Sequence, residues 1–204
     1  MKTRLAKSIG IHKAALLSRI FVDVLLKRTE HKKYQRIIFY TPADKKKEII
    51  DWLGSDIIIQ PQKGNDLGQR LSRAFAFAFK IGAKKVVAIG TDNPLIDKKT
   101  LQEAFKKLST KACVLGPALD GGYYLIGLTS LNERIFKGIP WSTQTVFRQT
   151  IQRLKRMKAG YSLLKKSFDV DTYQDIQLLR QRIGQERRKE LKGLEPLLKA
   201  LEGL

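Results

Sequence analysis

Residues 86–94 read VVAIGTDNP, and this stretch predicts the fold of the chain. Four apolar residues, 86–89, form an uninterrupted run that is typical of a parallel strand covered by helices on both faces. Gly90 and Pro94 end that strand. Ligands of open α/β sheets bind beyond the carboxyl ends of the strands, so Asp92 is predicted to stand at the floor of a binding site. A local turn is the alternative explanation of Asp92.

The sequence on either side of this stretch alternates between helical and strand patterns. Before it, the spacing of apolar residues predicts a helix over 12–28, a strand over 36–40, a helix over 45–53, a strand over 57–59 and a helix over 67–81. After it, we expect a helix over 98–108 capped by Asp97, strands over 112–115 and 123–128, a helix over 143–157 capped by Ser142, a strand over 162–164 and a helix from Tyr173. This βαβ order predicts one α/β domain over residues 1–184, and a basic, Leu-rich, helical tail over 185–204.

The composition is that of a folded chain without a membrane segment. With 204 residues and 43% hydrophobic content, the chain can build one substantial core. No apolar stretch approaches the roughly 18 residues of a membrane span, and MKTRLAKSIG lacks a signal-peptide core, so we expect a cytoplasmic protein. Cys113 is the only cysteine and lies in an apolar stretch, which favours a buried hydrophobe. With two histidines, a histidine metal site or a Ser-His-Asp triad is not expected.

The formal net charge of +21 favours polyanionic partners, namely nucleic acid, anionic lipid or phosphorylated ligands. The Lys and Arg residues are spread along predicted polar helix faces and loops, where solvated surface is the ordinary explanation. The sequence contains no recognised nucleic-acid-binding motif. A nucleic-acid-binding protein is therefore the alternative from a different functional class.

Three groups of aspartates follow predicted strands. Besides Asp92, Asp120 lies in the stretch LGPALDGGYYLIGL over 115–128, and Asp169 and Asp171 lie in the stretch DVDT. The two glycines after Asp120 allow a ligand to approach the backbone, although a hairpin turn predicts the same pair. Right-handed βαβ winding is expected to gather these carboxylates on one edge of the sheet.

The order of six motifs resembles a known family. The motifs are KTRLA (2–6), GNDLGQRL (64–71), GTDNPLI (90–96), LGPALDGGYYLIGL (115–128), PWST (140–143) and DVDTYQDI (169–176). They are similar to those of small bacterial GT-A glycosyltransferase-like proteins of the arsenosugar-biosynthesis or radical-SAM-associated type. That family is related to the molybdenum-cofactor and phospholactate nucleotidyltransferases. The resemblance extends to about residue 179 and implies a single-domain, Rossmann-like GT-A fold with a mostly parallel central sheet and helices on both faces.

The resemblance also implies roles for individual residues. Asp92 matches the metal-coordinating, catalytic carboxylate, and Asp171 matches a second ligand of the same divalent cation, Mg²⁺ or Mn²⁺. Tyr173 and Gln174 replace the Pro and Glu that follow in the family motif. The binding residues implied for nucleotide and phosphate are Lys2, Thr3, Arg4, Gly64, Asp66 and Gly68. Those implied for the sugar or acceptor are Asp120, which would act as a base, with Gly121, Gly122 and Trp141; core packing is the alternative for Trp141.

The function implied is that of a metal-dependent glycosyltransferase that uses a nucleotide-diphospho-sugar donor and a small-molecule acceptor. A nucleotidyltransferase that forms an activated compound from a nucleoside triphosphate is the alternative within the enzymes, because the same contacts serve both reactions. Family members begin with a strand and a loop ahead of the KTRL motif, whereas this sequence starts at the motif. We therefore expect either a start upstream of Met1 or a degenerate member with impaired nucleotide binding.

Overall fold

The computed structural model of the protein describes residues 3–185 and 191–203, which form an α/β fold. The helices are α1 (Thr3–Ile9), α2 (Ile11–Arg28), α3 (Lys46–Leu53), α4 (Leu67–Lys80), α5 (Lys98–Lys107), α6 (Val146–Arg156), α7 (Tyr173–Gln185) and α8 (Glu195–Glu202). The strands are β1 (Ile37–Tyr40), β2 (Ile58–Pro61), β3 (Val86–Ile89), β4 (Cys113–Pro117), β5 (Tyr123–Leu128) and β6 (Tyr161–Leu163). The α/β class and the alternation of elements expected from the sequence are confirmed.

The strands belong to two sheets that are separate in the described part of the chain. Strands β1 and β2 form a parallel pair, in which Ile37 lies opposite Ile58. The second sheet has the order β3-β5-β4-β6, with β5 antiparallel to both neighbours and β6 parallel to β4. The second sheet is thus mixed, because it contains both parallel and antiparallel pairs.

Side chains from successive positions of β3 pack into different cores. Val87 and Ile89 contact the cluster that contains Leu25 of α2 and Leu101 of α5. Val86 and Ala88 contact the cluster that contains Phe75 of α4 and residues of α6. Helices therefore cover both faces of the sheet, as the resemblance implies.

Two local expectations are wrong. All four residues of β3 are only half-buried, whereas the sequence predicts a fully covered strand. The reason is that β3 is hydrogen-bonded only to β5, so its other edge is open in the described structure. Ser142 does not cap α6: it has a positive φ of 64° and lies four residues before the helix, whose cap position is Thr145.

The described part of the C-terminal tail packs against the N-terminal helices. Leu194, Leu197 and Leu201 are fully or almost fully buried in a core that also contains Leu17 and Phe21 of α2. Residues 186–190 and 204 of the predicted tail lie outside the described residues. The helix predicted in this tail is present as α8. Among the described residues, no helix combines the length and apolar character needed to cross a membrane.

Cys113 is buried on β4, with 1% of its surface exposed, as the sequence suggests. Burial raises the pKa of its thiol to about 12, because the thiolate would be poorly solvated. We expect the native protein to react with a thiol reagent at pH 8 on the order of a thousandfold more slowly than the unfolded chain, whose thiol has a pKa of about 8.5. Measuring labelling with and without denaturant checks this, and equal rates would contradict the described burial.

Candidate active site

The loop after β3 is anchored on both sides by its backbone. The Gly90 N–H donates to the carbonyl of Tyr124 at 3.2 Å, which continues the pairing with β5 past the end of the strand. The carbonyl oxygen of Asp92 accepts a hydrogen bond from Val170 N–H at 2.8 Å. That bond joins the Asp92 loop to the DVDT segment. The two loops on which the sequence predicts metal ligands are therefore in direct contact.

Asn93 holds the same loop in place through its side chain. It is 1% exposed, and its amide Nδ2 donates to Ser167 Oγ at 2.9 Å while Oδ1 accepts from Leu95 N–H at 3.2 Å. Ser167 N–H in turn donates to the carbonyl of Pro117, the last residue of β4, at 3.0 Å. The ends of β3 and β4 and the segment before α7 are thus tied together at one edge of the sheet.

The DVDT segment runs directly into α7, which begins at Tyr173. Asp175 Oδ2 accepts hydrogen bonds from Thr172 N–H at 2.7 Å, from Thr172 Oγ1 at 2.8 Å and from Asp171 N–H at 3.0 Å. Thr172 Oγ1 accepts from Asp175 N–H at 3.3 Å. This is a reciprocal capping arrangement. It stabilises the N-terminus of α7, although Tyr173 and Gln174 replace the family's Pro and Glu.

Replacing Asp175 with alanine is expected to lower the free energy of unfolding by about 1 to 2 kcal/mol, because backbone N–H groups at the start of α7 lose their acceptor. Urea denaturation measures this. The matched control is Asp175→Asn, whose side-chain oxygen still accepts hydrogen bonds, so it should recover part of the loss. Equal stability of the alanine variant and the wild type would rule out the capping role.

Arg4 lies beside the same segment. Together with Ser8 of α1 and Thr172, Tyr173, Gln174 and Gln177 around the start of α7, it lines an open groove of about 530 Å³. Thr3 is exposed at the first position of α1. Lys2, which the resemblance also assigns to phosphate binding, lies outside the described residues. The structure therefore places Arg4 next to the loop of Asp171.

Asp120 stabilises its own turn. Its Oδ1 accepts from Gly122 N–H at 2.9 Å, and Ala118 N–H donates to the Gly122 carbonyl at 3.0 Å. This is the local arrangement that a hairpin turn predicts. The Asp120 residue is exposed, at the strand end that also carries the Asp92 loop. Its role as a base remains a prediction.

Gly121 is required by packing within the protein. Its φ is +89°, and a Cβ atom there would lie 2.0 Å from the carbonyl oxygen of Gln144. The Gly121 carbonyl accepts from Phe147 N–H at 2.8 Å in the first turn of α6. The glycine pair therefore seats the Asp120 loop on the start of α6, and its predicted contact with a substrate stays a prediction.

The GNDLG segment forms the start of α4. Asp66 caps the helix, since its Oδ1 accepts from Gln69 N–H at 2.7 Å, and Gln69 Oε1 accepts from Asn65 N–H at 3.2 Å. Gly64 has a φ of +139°, and a Cβ there would meet Gln69 Cβ at 2.7 Å. Both residues thus have structural roles in the loop at which the resemblance places the nucleotide.

Trp141 packs against the start of α4. A Cβ on Gly68 would lie 2.5 Å from Trp141 Nε1, so the indole rests directly on the backbone of α4. Trp141 is half-buried and makes an edge-to-face contact with Tyr123 at 6.4 Å between ring centroids. The predicted nucleotide pocket and the predicted apolar wall are therefore adjacent. Packing is one of the functions of Trp141, as its alternative interpretation holds.

Most of the predicted site residues that the structure describes thus fall into three groups. The first contains Arg4, Asp92 and Asp171, and the second contains the Gly64–Gly68 loop with Trp141. The third is the loop of Asp120, Gly121 and Gly122, which is seated on the start of α6. In the described part of the chain, no group of three or more His, Cys, Asp or Glu side chains is arranged to hold a metal ion. Any cation there would have to complete its shell with other oxygen ligands.

Two tyrosines beside the site stay protonated. Burial raises the pKa of Tyr124 to about 12, and its hydroxyl donates to the carbonyl of Lys165 at 2.9 Å. Burial also raises the pKa of Tyr123 well above its ordinary value. Neither phenol is therefore available as a base near neutral pH.

Several residues of the site escape sequence reasoning. The pattern T-x-x-D at 172–175 is a capping signature and could have identified Asp175. The pattern D-x-x-Q at 66–69 similarly indicates the start of α4. The contact of Asn93 with Ser167 spans 74 positions of the chain, and no local signal predicts it.

Comparison with known proteins identifies the family. Residues 24–143 match the family model described as "uncharacterized protein conserved in bacteria (DUF2064)". The chain belongs to the DUF2064 family. No curated protein matches this DUF2064 protein significantly in sequence.

The solved structures that resemble this DUF2064 protein include one described as a transferase of the nucleotide-sugar type. It is similar to a protein from Desulfovibrio desulfuricans provisionally assigned as a nucleotide-diphospho-sugar transferase, with 32% identity and a TM-score of 0.87. The alignment covers 100% of this chain and 91% of that one. The nucleotide-diphospho-sugar transferase fold expected from the sequence is confirmed. The finer assignment to the arsenosugar-biosynthesis type stays a prediction.

More distant structures share the fold. One is 4-diphosphocytidyl-2C-methyl-D-erythritol synthase from Anaerococcus prevotii, with 12% identity, a TM-score of 0.57 and coverage of 83% of this chain and 89% of that one. Another is CMP:2-keto-3-deoxy-manno-octonic acid synthetase in complex with CTP, with 10% identity, a TM-score of 0.56 and coverage of 82% and 88%. At these identities the likeness concerns the fold alone.

Proposed function

We propose that this DUF2064 protein is a metal-dependent glycosyltransferase that uses a nucleotide-diphospho-sugar and a small-molecule acceptor. The observation that carries the proposal is the hydrogen bond from Val170 N–H to the Asp92 carbonyl, which joins the two predicted metal-ligand loops. The groove beside Arg4 adjoins one of these loops at Thr172. Support also comes from the family relationship to a protein assigned as a nucleotide-diphospho-sugar transferase.

The carboxylates at this edge suit a divalent cation. Mg²⁺ in phosphate-handling enzymes is commonly held by one or two carboxylates, the substrate phosphates and water, so a dedicated cluster of protein ligands is not needed. Asp92 and Asp171 would hold the cation in this protein. When bound, the cation would neutralise charge that develops on the diphosphate.

The remaining roles belong to side chains of the chain itself. Cleavage of the sugar-phosphate bond builds negative charge on the leaving diphosphate, and the guanidinium of Arg4 offers fixed donors for it. Thr172 N–H and Asp171 N–H are already bonded to Asp175, so phosphate recognition falls to side chains of the groove. Asp120 is held by Gly122 N–H through one oxygen, and we assign it the removal of the proton from the acceptor hydroxyl.

Nucleotidyl transfer is separated from glycosyl transfer by the products. Released nucleoside diphosphate indicates glycosyl transfer, whereas released pyrophosphate indicates nucleotidyl transfer. The distinction requires only that the purified protein be incubated with nucleotide sugars or nucleoside triphosphates and divalent cation, and that the nucleotide products be separated by chromatography. Pyrophosphate without nucleoside diphosphate would replace the first proposal by the second.

Nucleotide binding is expected to raise the melting temperature of the protein. At a ligand concentration of about 100 times Kd, binding stabilises the native state by about 2.7 kcal/mol. For a chain of this size that is a rise of roughly 5 to 10 °C. A thermal-shift screen of nucleotide sugars and nucleoside triphosphates, with and without Mg²⁺ or Mn²⁺, measures it.

Two variants locate the binding. Arg4→Ala should reduce the shift caused by the nucleotide, and Asp92→Asn should remove the part that depends on the metal. Asp97→Asn is the matched control, because it makes the same charge change five residues away at the cap of α5 and should leave the shift unchanged. Failure of every nucleotide to shift the folded wild-type protein would overturn the proposal.

A further inference from the structure

The first residues of three strands lie side by side at one end of the four-stranded sheet. Val86 of β3 and Cys113 of β4 both lie opposite Leu128, the last residue of β5, and Cys113 also lies opposite Tyr161 of β6. Neighbouring strands are about 4.8 Å apart, so the row from β3 to β6 extends over about 14 Å. The loop of Asp92 follows the other end of β3, so this row lies at the opposite end of the sheet from the candidate active site.

Each of these three strands is entered from the C-terminal end of a helix. Helix α4 ends at Lys80 before β3, α5 ends at Lys107 before β4, and α6 ends at Arg156 before β6. Helices α4 and α6 pack into the core on one face of the sheet, and α5 packs into the core on the other face. The ends of the helices therefore flank the row of strand starts on both faces.

Hydrogen bonds hold the three connections against one another. Lys85 Nζ, just before β3, donates at 2.8 Å to Ser109 Oγ in the connection that precedes β4. Ala112 N–H in that second connection donates at 2.9 Å to the carbonyl of Gly160, just before β6. Segments that are far apart in the sequence thus form one continuous surface. We call this surface, made of residues 80–85, 106–112 and 155–160, the basic edge.

Lysine dominates the composition of the basic edge. The three ranges contain nine lysine or arginine residues and no aspartate or glutamate. The nine are Lys80, Lys84, Lys85, Lys106, Lys107, Lys111, Lys155, Arg156 and Lys158. The sequence distributes these cations over residues 80–158, and the fold gathers them on one surface.

Most of these cations are exposed. Lys85 is half-buried and bound to Ser109, and Lys107 is half-buried and lies 3.3 Å from a carboxylate oxygen of Glu103. The other seven residues are exposed. In the part of the chain that the structure describes, none of their side chains takes part in a hydrogen bond or an ion pair. Positive potential is therefore concentrated on this surface.

Stabilisation of the helix ends accounts for only some of these cations. Cations in the last turn of a helix interact favourably with its C-terminus, as Lys80 of α4 and Arg156 of α6 do. That effect falls off beyond the last turn. Lys84, Lys111 and Lys158 lie past the ends of their helices and are exposed, so the stability of the helices does not require them.

The side chains of the basic edge suit phosphate groups better than an apolar partner. The three ranges contain no aromatic residue, and Ile81 is their one large apolar side chain that the described structure exposes. Protein interfaces are rich in aromatic residues and poor in lysine, and single-stranded nucleic acid stacks on aromatic rings. Membrane-surface helices insert several apolar side chains between lipids. A nucleic acid duplex instead presents its phosphates outward, at one charge per about 1.7 Å of its axis.

We propose that the basic edge binds the phosphate backbone of double-stranded nucleic acid. The exposed cations neutralise phosphates and release the counterions that surround them, which makes binding strongly dependent on salt. The three ranges contain neither Asn nor Gln and only one Arg, so binding does not depend on the base sequence. Duplex DNA and duplex RNA share this chemistry, and the test separates them. Binding here is independent of the proposed transferase activity, because the basic edge and the Asp92 loop lie at opposite ends of β3.

Fluorescence anisotropy of labelled duplexes tests the proposal on the full chain. Two DNA duplexes of unrelated sequence and one RNA duplex, each of about 20 base pairs, are titrated between about 50 and 200 mM potassium chloride. Contacts with roughly four to seven phosphates predict a slope of about −4 to −6 when the logarithm of the association constant is plotted against that of the salt concentration. The two DNA sequences should bind equally tightly. Binding of DNA or of RNA supports the proposal and identifies the source of the duplex.

A triple variant locates the bound duplex. Lys84→Gln, Lys111→Gln and Lys158→Gln together remove one exposed cation from each connection of the basic edge. Each lost phosphate contact makes the salt slope shallower by about 1, so the triple variant should differ from the wild type by about 3. Its affinity for the duplex at low salt should fall by about tenfold or more.

The matched control removes the same charge elsewhere. It carries Lys13→Gln, Lys192→Gln and Lys199→Gln, three exposed lysines beside the core that α2 shares with α8. The control should keep the salt slope and the affinity of the wild type, although its net charge equals that of the triple variant.

Lysine acetylation of the wild type is a second measurement that needs no variant. A bound duplex should slow the acetylation of Lys84, Lys111 and Lys158 severalfold, whereas Lys192 and Lys199 should react as they do in the free protein. Mass spectrometry quantifies both sets. If the triple variant fails to fold, this comparison decides the matter.

Three results would overturn the proposal. The first is no binding of any duplex to the folded wild type at the lowest salt concentration. The second is an equal loss of binding in the triple variant and its control, or equal protection of both sets of lysines from acetylation. The third is tighter binding of vesicles that contain anionic lipid, or of poly-glutamate, than of the duplexes, because the basic edge would then bind a membrane or an acidic protein.

Discussion

Replacing Asp92 with asparagine is expected to reduce transferase activity on the order of 100-fold or more while the protein stays folded. The substitution keeps the size of the side chain but removes the charge that would hold a divalent cation. The hydrogen bond from Val170 N–H to the Asp92 carbonyl is made by the backbone, and asparagine retains it. The measurement is the release of nucleoside diphosphate from a nucleotide sugar, together with urea denaturation of the variant.

The control for this variant is Asp97→Asn. It loses the same charge close to the site, and asparagine caps a helix as well as aspartate does, so both activity and stability should match the wild type. Wild-type activity in Asp92→Asn would exclude this carboxylate as a metal ligand and remove the main support for a metal-dependent transferase. If Asp92→Asn loses activity because it is unfolded, the urea denaturation curve will show that loss of stability.

The largest effect on stability is expected for Gly121→Ala. The added Cβ would lie 2.0 Å from the Gln144 carbonyl oxygen, on a backbone with a φ of +89° that side chains rarely adopt. We expect the free energy of unfolding to fall by about 3 kcal/mol or more, since strain and a backbone clash add. Urea denaturation gives the value, and near-UV circular dichroism reports on Trp141 nearby.

Gly54→Ala separates the two causes. Gly54 has a similar φ of +82°, at the end of α3, but among the described residues no atom beyond its chain neighbours lies within 4 Å of a Cβ built there. The Gly54→Ala substitution should lower the free energy of unfolding by only about 1 to 2 kcal/mol, which is the cost of placing a side chain on a left-handed backbone. If Gly121→Ala lowers the free energy of unfolding by no more than Gly54→Ala does, the Asp120 loop can move to accommodate the Cβ and is not held in place by α6.

The gathering of the carboxylate loops follows from the topology that the sequence implies. Asp92, Asp120 and Asp171 each come after a strand, and parallel connections bring strand ends to one edge, so their juxtaposition could be predicted. The packing role of Gly121 could not be predicted in the same way. Gly121 was interpreted through the freedom of its backbone, but the contact that requires a glycine is made with Gln144, which is distant in the chain.

The start of α6 that residue type predicts is also wrong. Ser142 is a favourable cap residue by type, yet Thr143 Oγ1 donates to the Pro140 carbonyl and the helix begins only at Val146. In the first turn of α6, Phe147 N–H instead donates to the carbonyl of Gly121 on another loop. A tertiary contact thus replaced the local cap that the sequence offered.

The sequence by itself determined the alternation of helices and strands, the cap at Asp97, and the strand-end positions of the aspartates, because periodicity and capping depend on neighbouring residues. Only the tertiary structure decided how strands neighbour one another. The run VVAIG is a buried strand by composition, but its burial depends on what pairs with each edge, and hydrogen bonds between strands join residues far apart in the chain. That is why β3 has one edge without a strand partner among the described residues, although nothing in its own sequence indicates it.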